Sequence, residues 1–293
     1  MTLFKGSGVA IVTPFNEDMT VNYEELDKLI EFQIANKTDA IIIAGTTGEA
    51  STLSDEEHLE LIGHTVKKVN GRLPVIAGTG SNDTRHGINL SVEAEKLGAD
   101  GLLQVTPYYN KTTQKGLKEH FLAIADAVNI PIILYTVPGR TNMPIAPETV
   151  LELLDHPNII GLKDATGDLG YTVAVKALCG DKIDIYSGND DIVVPLLSVG
   201  GIGVISVLAN CAPLETHNMV MNYLEGNVSE ARSLQLKYKE FIDALFAEAS
   251  PIPVKSALEL MGYGKSNLRL PLTSPSDSTV ELLKTKMKEV GLL

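Results

Sequence analysis

Lys163 closes an apolar run, residues 159–163 (IIGLK), in which every preceding residue is hydrophobic or glycine. A lone amine in such a setting suits imine chemistry with a keto compound, provided it can shed its proton. A free lysine titrates near ~10.4, so about one in 2,500 is neutral at pH 7. Burial or a nearby positive charge lowers that value. A shift of about 3 units, worth roughly 4 kcal/mol, is within what burial supplies. A lysine at a strand edge is ordinarily a solvated surface charge, but the apolar flank of Lys163 argues against that.

Other polar groups fall where apolar runs end. Tyr135 lies near the end of 131–137 (PIILYTV). A phenol there can pass protons to a dehydrating carbinolamine, or it can be a core tyrosine satisfied locally. Thr46 and Thr47 occupy a glycine-flanked turn, 45–49 (GTTGE). Their hydroxyls and backbone N–H groups can bind a carboxylate, although an ordinary turn reads the same way. Arg140 follows Pro138-Gly139 on what reads as a loop. It is either a guanidinium fork for a carboxylate or a solvated charge. Tyr108 and Tyr109, in 106–110 (TPYYN), read as site, core or interface aromatics.

These residues need a frame that brings strand ends together. Eight β-rich runs recur, at 8–15, 40–45, 74–78, 101–106, 131–137, 159–163, 183–187 and 203–208. Most are continuously apolar, as strands covered on both faces of a parallel sheet are. Helical periodicity fills the gaps at 23–35, 54–69, 84–97, 114–127, 147–154, 169–178 and 213–224. The second of these opens with a capping box of Ser54 and Glu57. Eight βα units predict a (β/α)8 TIM barrel over 1–225, with catalytic groups at the C-terminal strand ends. Period-two alternation puts Lys163 on one face with Gly161 and Ile159. An open doubly wound sheet is the alternative, but its usual glycine fingerprint after the first strand is missing, and Thr13-Pro14-Phe15 stands there instead. Helices at 229–247, 254–261 and 276–290 then predict a C-terminal helical region over 226–293.

Composition narrows the partners. The net charge is −13 in a 293-residue chain, which disfavours nucleic acid and anionic membranes. A small anionic substrate then needs a local cation. The two cysteines, Cys179 and Cys211, form no metal-binding pattern. No apolar run approaches the ~20 residues of a membrane span, and the N-terminus lacks a secretory pattern. The expectation is a cytoplasmic enzyme.

Taken together, GTTGE, TPYYN, YTVPGRT at 135–141 and GLKDATG at 161–167 resemble the pyruvate-dependent class I aldolase/lyase superfamily. Within it they resemble the dihydrodipicolinate synthase family. The likeness runs along essentially the whole chain, including SPIPVK at 250–255 and LRLPLT at 268–273. It implies a lyase that condenses pyruvate with aspartate semialdehyde, on the route to diaminopimelate and lysine. In that scheme Lys163 forms the imine. Tyr135, Thr46 and Tyr109 relay protons, with Tyr109 reaching in from a neighbouring subunit. Thr46 and Thr47 hold the pyruvate carboxylate, Arg140 receives that of the semialdehyde, and Gly188 and Ile205 line the pyruvate pocket. The resemblance further implies no metal or organic cofactor, and a homotetramer built as a dimer of dimers. Sister enzymes such as N-acetylneuraminate lyase and the keto-deoxy-sugar-acid aldolases share the lysine and tyrosine. Arg140 with Tyr108-Tyr109 favours the synthase branch.

One departure concerns regulation. The resemblance implies an allosteric lysine site at Ala50, Ser51, Asp55, His58, Asn82, His86 and Tyr108. Lysine-inhibited members carry two histidines and a glutamate where this chain has Asp55, His58 and His86. An anionic partner for lysine's ammonium is thus replaced by imidazole, which predicts weak or absent feedback unless Asp55 compensates. Two other readings are set aside. Gly200-Gly201-Ile202-Gly203 precedes the eighth strand, so it is an entry turn rather than a phosphate site. His58 and His64 lie six apart on a helix and face apart, so no metal is expected there.

Overall fold

The computed structural model describes residues 2–293. Eight strands form a closed barrel in chain order: β1 (Gly6–Ala10), β2 (Ala40–Ile43), β3 (Val75–Gly78), β4 (Gly101–Val105), β5 (Ile132–Thr136), β6 (Ile159–Asp164), β7 (Asp184–Ser187) and β8 (Gly203–Ser206). All pair in parallel, and β1 closes on β8. The helices are α1 (Tyr23–Ala35), α2 (Asp55–Val69), α3 (Thr84–Lys96), α4 (Gln114–Ala125), α5 (Pro138–Thr141), α6 (Pro147–Leu153), α7 (Leu169–Cys179), α8 (Val193–Ser198), α9 (Pro213–Leu224), α10 (Val228–Leu245), α11 (Ile252–Leu260) and α12 (Asp277–Val290). None is long and apolar enough to cross a membrane.

The continuous apolar runs have a simple cause. One set of strand side chains, including Ile41, Ile43, Leu134, Leu162 and Val204, joins the large core between sheet and helices. The alternate set, including Ala10, Ile42, Ile76, Leu103, Ile133, Tyr135, Tyr186 and Ile205, fills the barrel itself. Both faces are therefore covered, so apolar side chains dominate both. At the N-terminal end Phe4 stacks on Tyr186, with centroids 4.5 Å apart, and the Tyr186 hydroxyl donates to Phe4 O at 2.8 Å. A floor is set there, leaving the opposite rim for chemistry.

Helix starts follow local chemistry. Ser54 Oγ accepts from Glu57 N at 3.2 Å while Ser54 N donates to Glu57 Oε2 at 3.0 Å, so the capping box forms. The glycine cluster before β8 is an entry turn, with Gly200 at φ +101° and Gly201 N donating to Leu196 O at 3.2 Å.

Several expectations need correcting. The first strand runs Gly6–Ala10 rather than 8–15. Beyond it Val12 N donates to the Asn210 side chain at 3.1 Å, so the ladder has already given way to side-chain partners. Ile159 does not share the face of Lys163. It pairs with Ile132 on the helix-facing side, and a register shift between Ile132 and Ile133 then brings Gly161 opposite Ile133 and Lys163 opposite Tyr135. Arg140 stands on the one-turn helix α5, not on a loop; Pro138 at its first position presets the backbone. The helix α8 between β7 and β8 was not anticipated, because six residues with a central Pro195 are too short to show a period.

Candidate active site

The register of β5 and β6 places Tyr135 directly beside Lys163. Nζ of Lys163 lies 4.4 Å from the centroid of the Tyr135 ring. Both are buried, with Lys163 only 6% exposed. Burial drives the amine's pKa down to about 8, and the Arg140 charge pushes the same way, while the Asp190 carboxylate partly opposes them. Burial raises the Tyr135 phenol, against smaller downward pulls from Arg140 and a hydrogen bond with Thr46. Tyr135 thus holds its proton at neutral pH, and Lys163 is poised to lose one.

Thr46 and Thr47 sit in a turn that the backbone holds tightly. Gly48 N donates to Gly45 O at 3.1 Å and Glu49 N to Thr46 O at 3.1 Å. Two non-glycine residues bracket the turn in the left-handed region, Ala44 at φ 53° and Glu49 at φ 55°. Such conformations cost of order 1–3 kcal/mol each and persist only where surrounding structure enforces them. Glycine is required nearby, because a Cβ on Gly78 would come within 2.4 Å of Ala44 O. Thr46 is exposed at the rim and Thr47 is buried.

A cavity of about 370 Å³ opens at this rim. Thr46, Tyr135 and Arg140 line it, together with Ala50, Ser51, Asp55, His58, His86 and Tyr108. Three of the residues expected for the reaction and most of those expected for regulation therefore share one cavity. Lys163 and Thr47 are not in its lining; Lys163 lies against the ring of Tyr135, which is. Arg140 is exposed and donates to Ser250 O at 3.1 Å, which ties it to the chain before α11.

Other sequence-predicted residues lie apart from the cavity. Ile205 is buried in the barrel interior. Gly188 N donates to Asp164 O at 2.7 Å, and a Cβ there would meet that of Ala165 at 2.6 Å, so glycine serves close packing. Asn82 does not line the cavity; its carbonyl accepts from Asn110 Nδ2 at 2.9 Å. Tyr109 is 93% exposed, with φ 70°, and makes no part of this chain's cavity. His58 is spent on Gly78 O at 2.7 Å, and burial lowers its pKa. His86 bridges Ser81 Oγ at 3.0 Å and Asp55 Oδ1 at 2.9 Å. Among the described residues no group of three or more His, Cys, Asp or Glu side chains could hold a metal ion. Cys179 and Cys211 are free and buried.

Sequence reasoning passed over Asp190. This buried carboxylate accepts from Ser206 Oγ at 2.5 Å and from the backbone N–H groups of Val207 and Leu208 at 2.9 Å each. Burial raises its pKa despite those donors and the charge of Lys163. Ser187-Gly188-Asn189-Asp190 is polar at a strand end, but nothing local singles out its last residue.

The profile of the dihydrodipicolinate synthetase family matches residues 3–290. The chain belongs to that family. A 4-hydroxy-tetrahydrodipicolinate synthase from Caldicellulosiruptor bescii is 55% identical over 292 residues, spanning 100% of this chain and 99% of the relative. Among solved structures, the chloride-inhibited dihydrodipicolinate synthase of Acinetobacter baumannii in complex with pyruvate superposes with a TM-score of 0.97. It is 44% identical, and all of both chains is covered. The dihydrodipicolinate synthase of Cyanidioschyzon merolae with lysine bound gives a TM-score of 0.97 at 40% identity, again over all of both chains. Family membership accounts for the barrel.

Proposed function

We propose that this chain is a carbon–carbon bond-forming lyase that condenses pyruvate with L-aspartate 4-semialdehyde to give 4-hydroxy-tetrahydrodipicolinate. The observation that carries the reading is a buried amine, lowered to about 8, against a phenol that keeps its proton, at the C-terminal rim of a barrel of this family.

The chemistry follows from those groups. Neutral Lys163 attacks the keto carbon of pyruvate. Tyr135 and Thr46 supply and remove protons as the carbinolamine loses water and becomes an iminium. Thr46 and Thr47 orient the carboxylate at the glycine-flanked turn. The iminium draws electrons from the methyl group, which loses a proton and leaves an enamine. That carbon attacks the aldehyde of the second substrate, whose carboxylate meets Arg140. The adduct's amine closes on the former keto carbon and releases Lys163, with one water lost overall. Gly188 and Ile205 shape the wall beside the pyruvate.

Tyr109 acts in a neighbouring protomer's site, and its near-complete exposure in a left-handed turn supports that role. The working assembly is a homotetramer, a dimer of dimers, in the cytoplasm. Feedback by lysine is weak. The Asp55 carboxylate, the acidic side chain that lines the cavity, is already engaged by His86, and the cavity offers imidazoles beside it.

The test is a coupled assay with pyruvate and aspartate semialdehyde, run beside pyruvate and N-acetylmannosamine. Turnover with the first pair supports the assignment. Turnover with the second alone would move the chain to the sister aldolases.

A further inference from the structure

Lys255 is the one deeply buried lysine that the reaction does not use. Its side chain is 2% exposed and that of its partner Glu49 is 1% exposed. Nζ donates to Glu49 Oε1 at 2.6 Å and to Thr13 O at 2.9 Å, and lies 4.4 Å from the centroid of the Phe15 ring. Two of its three N–H donors are thus hydrogen-bonded within the protein, and its charge faces an aromatic ring. The second carboxylate oxygen of Glu49 accepts from Arg269 N at 3.1 Å. The Arg269 guanidinium in turn forks onto Glu57 at 2.8 and 2.6 Å and donates to Thr52 O at 2.7 Å and Met19 O at 2.6 Å.

These contacts join segments that are far apart in sequence. Lys255 comes from α11 and Arg269 from the stretch between α11 and α12, 206 and 220 residues from Glu49. Glu49 is the last residue of the turn that carries Thr46 and Thr47, and its own N–H holds the carbonyl of Thr46. On the other side Thr13 Oγ1 donates to Gly48 O at 2.7 Å. The turn is therefore clamped from two directions, by the segment after β1 and by the C-terminal region.

Buried ion pairs are a poor means of gaining stability, because desolvation consumes most of the attraction, and apolar pairs of similar volume often do as well. What this pair does supply is direction. A carboxylate with both oxygens committed fixes the left-handed backbone at Glu49, which costs energy unless enforced. We propose that Glu49 and Lys255 are positioning residues for the carboxylate-binding turn, setting Thr46 and Thr47 through the backbone without touching substrate. The inference rests on the reading of Thr46 and Thr47 as the pyruvate carboxylate's partners. It gives the C-terminal region a task at the active site.

The test pairs stability with kinetics. Lys255→Met alone strands a buried carboxylate and invites unfolding, so the informative variant is the double Glu49→Gln/Lys255→Met, which removes both charges and keeps volume. It should fold, retain borohydride trapping of pyruvate at saturating concentration, and show a pyruvate KM raised about tenfold or more, since misplacement near 1 Å can cost about 100-fold. The KM for aspartate semialdehyde should move little. Thr13→Val loosens the same turn from its other side while leaving both charges in place. It should raise the pyruvate KM in the same direction by a smaller factor. Unchanged pyruvate KM in the folded double variant would overturn the proposal. Should the double variant not fold, an unchanged pyruvate KM in Thr13→Val would overturn it equally. Failure of the parent enzyme to trap pyruvate would instead sink the functional reading.

Discussion

The lowered pKa of Lys163 makes a quantitative prediction about imine formation. An amine with a pKa of about 8 is about 9% neutral at pH 7, whereas one at the ordinary 10.5 is about 0.03% neutral. The difference is about 300-fold in reactive nucleophile, equivalent to roughly 3 kcal/mol. The burial-raised Tyr135 phenol stays protonated across this range, so Lys163 alone sets the profile. Mixing with pyruvate, quenching with borohydride at intervals and weighing the intact protein gives the rate of adduct formation. That rate should climb almost tenfold from pH 6 to 7, about fivefold from pH 7 to 8, and less than twofold above pH 8. Asp190 opposes the lowering, so Asp190→Asn should move the break below the parent's. A rate that rises tenfold per unit through pH 9 would mean an unperturbed lysine and would refute the reasoning. So would a break that moves upward in Asp190→Asn.

The remaining predictions address the partners of Lys163. Tyr135→Phe removes the proton-bearing phenol beside the amine and should lower kcat by about 100- to 10,000-fold, read in the coupled assay. Arg140→Ala should raise the KM for aspartate semialdehyde by about 10- to 100-fold, as expected for a lost charged hydrogen bond, while pyruvate trapping persists. Because Arg140 helps lower the amine, its loss should also move the break in the trapping profile upward. Activity should survive in sub-millimolar lysine, and His86→Glu should increase sensitivity to it. Loss of most activity in the parent enzyme at that concentration would overturn the account of Asp55 and His86.

What the sequence disclosed and what it hid divide by distance along the chain. The barrel was legible because strands covered on both faces read as unbroken apolar runs, and because the helices between them carry a period and caps such as Ser54 and Glu57. Lys163 stands out in the sequence because a charged residue ending an apolar run is locally anomalous, whereas Tyr135, Thr46, Thr47 and Arg140 each read equally as ordinary residues and are grouped only by the motifs that carry the resemblance. Asp190 was not, since its meaning depends on Ser206, Val207 and Leu208, 16 to 18 residues further on. Glu49 and Lys255 were hidden for the same reason at greater range. Each looks like an ordinary charge until the fold buries them together. The register shift at Ile132 and Ile133 was likewise invisible, because alternation counted along β6 alone puts Ile159 on the wrong face.

The central claim is that carbon–carbon bond formation runs through an imine on Lys163. Borohydride reduction in the presence of pyruvate, followed by peptide mapping, tests it most directly. The account predicts one adduct per chain, on the peptide that contains Lys163, and none in Lys163→Ala. An adduct that persists in Lys163→Ala, on Lys111 or Lys255 for example, would contradict it, as would a parent enzyme that turns over both substrates and traps no pyruvate.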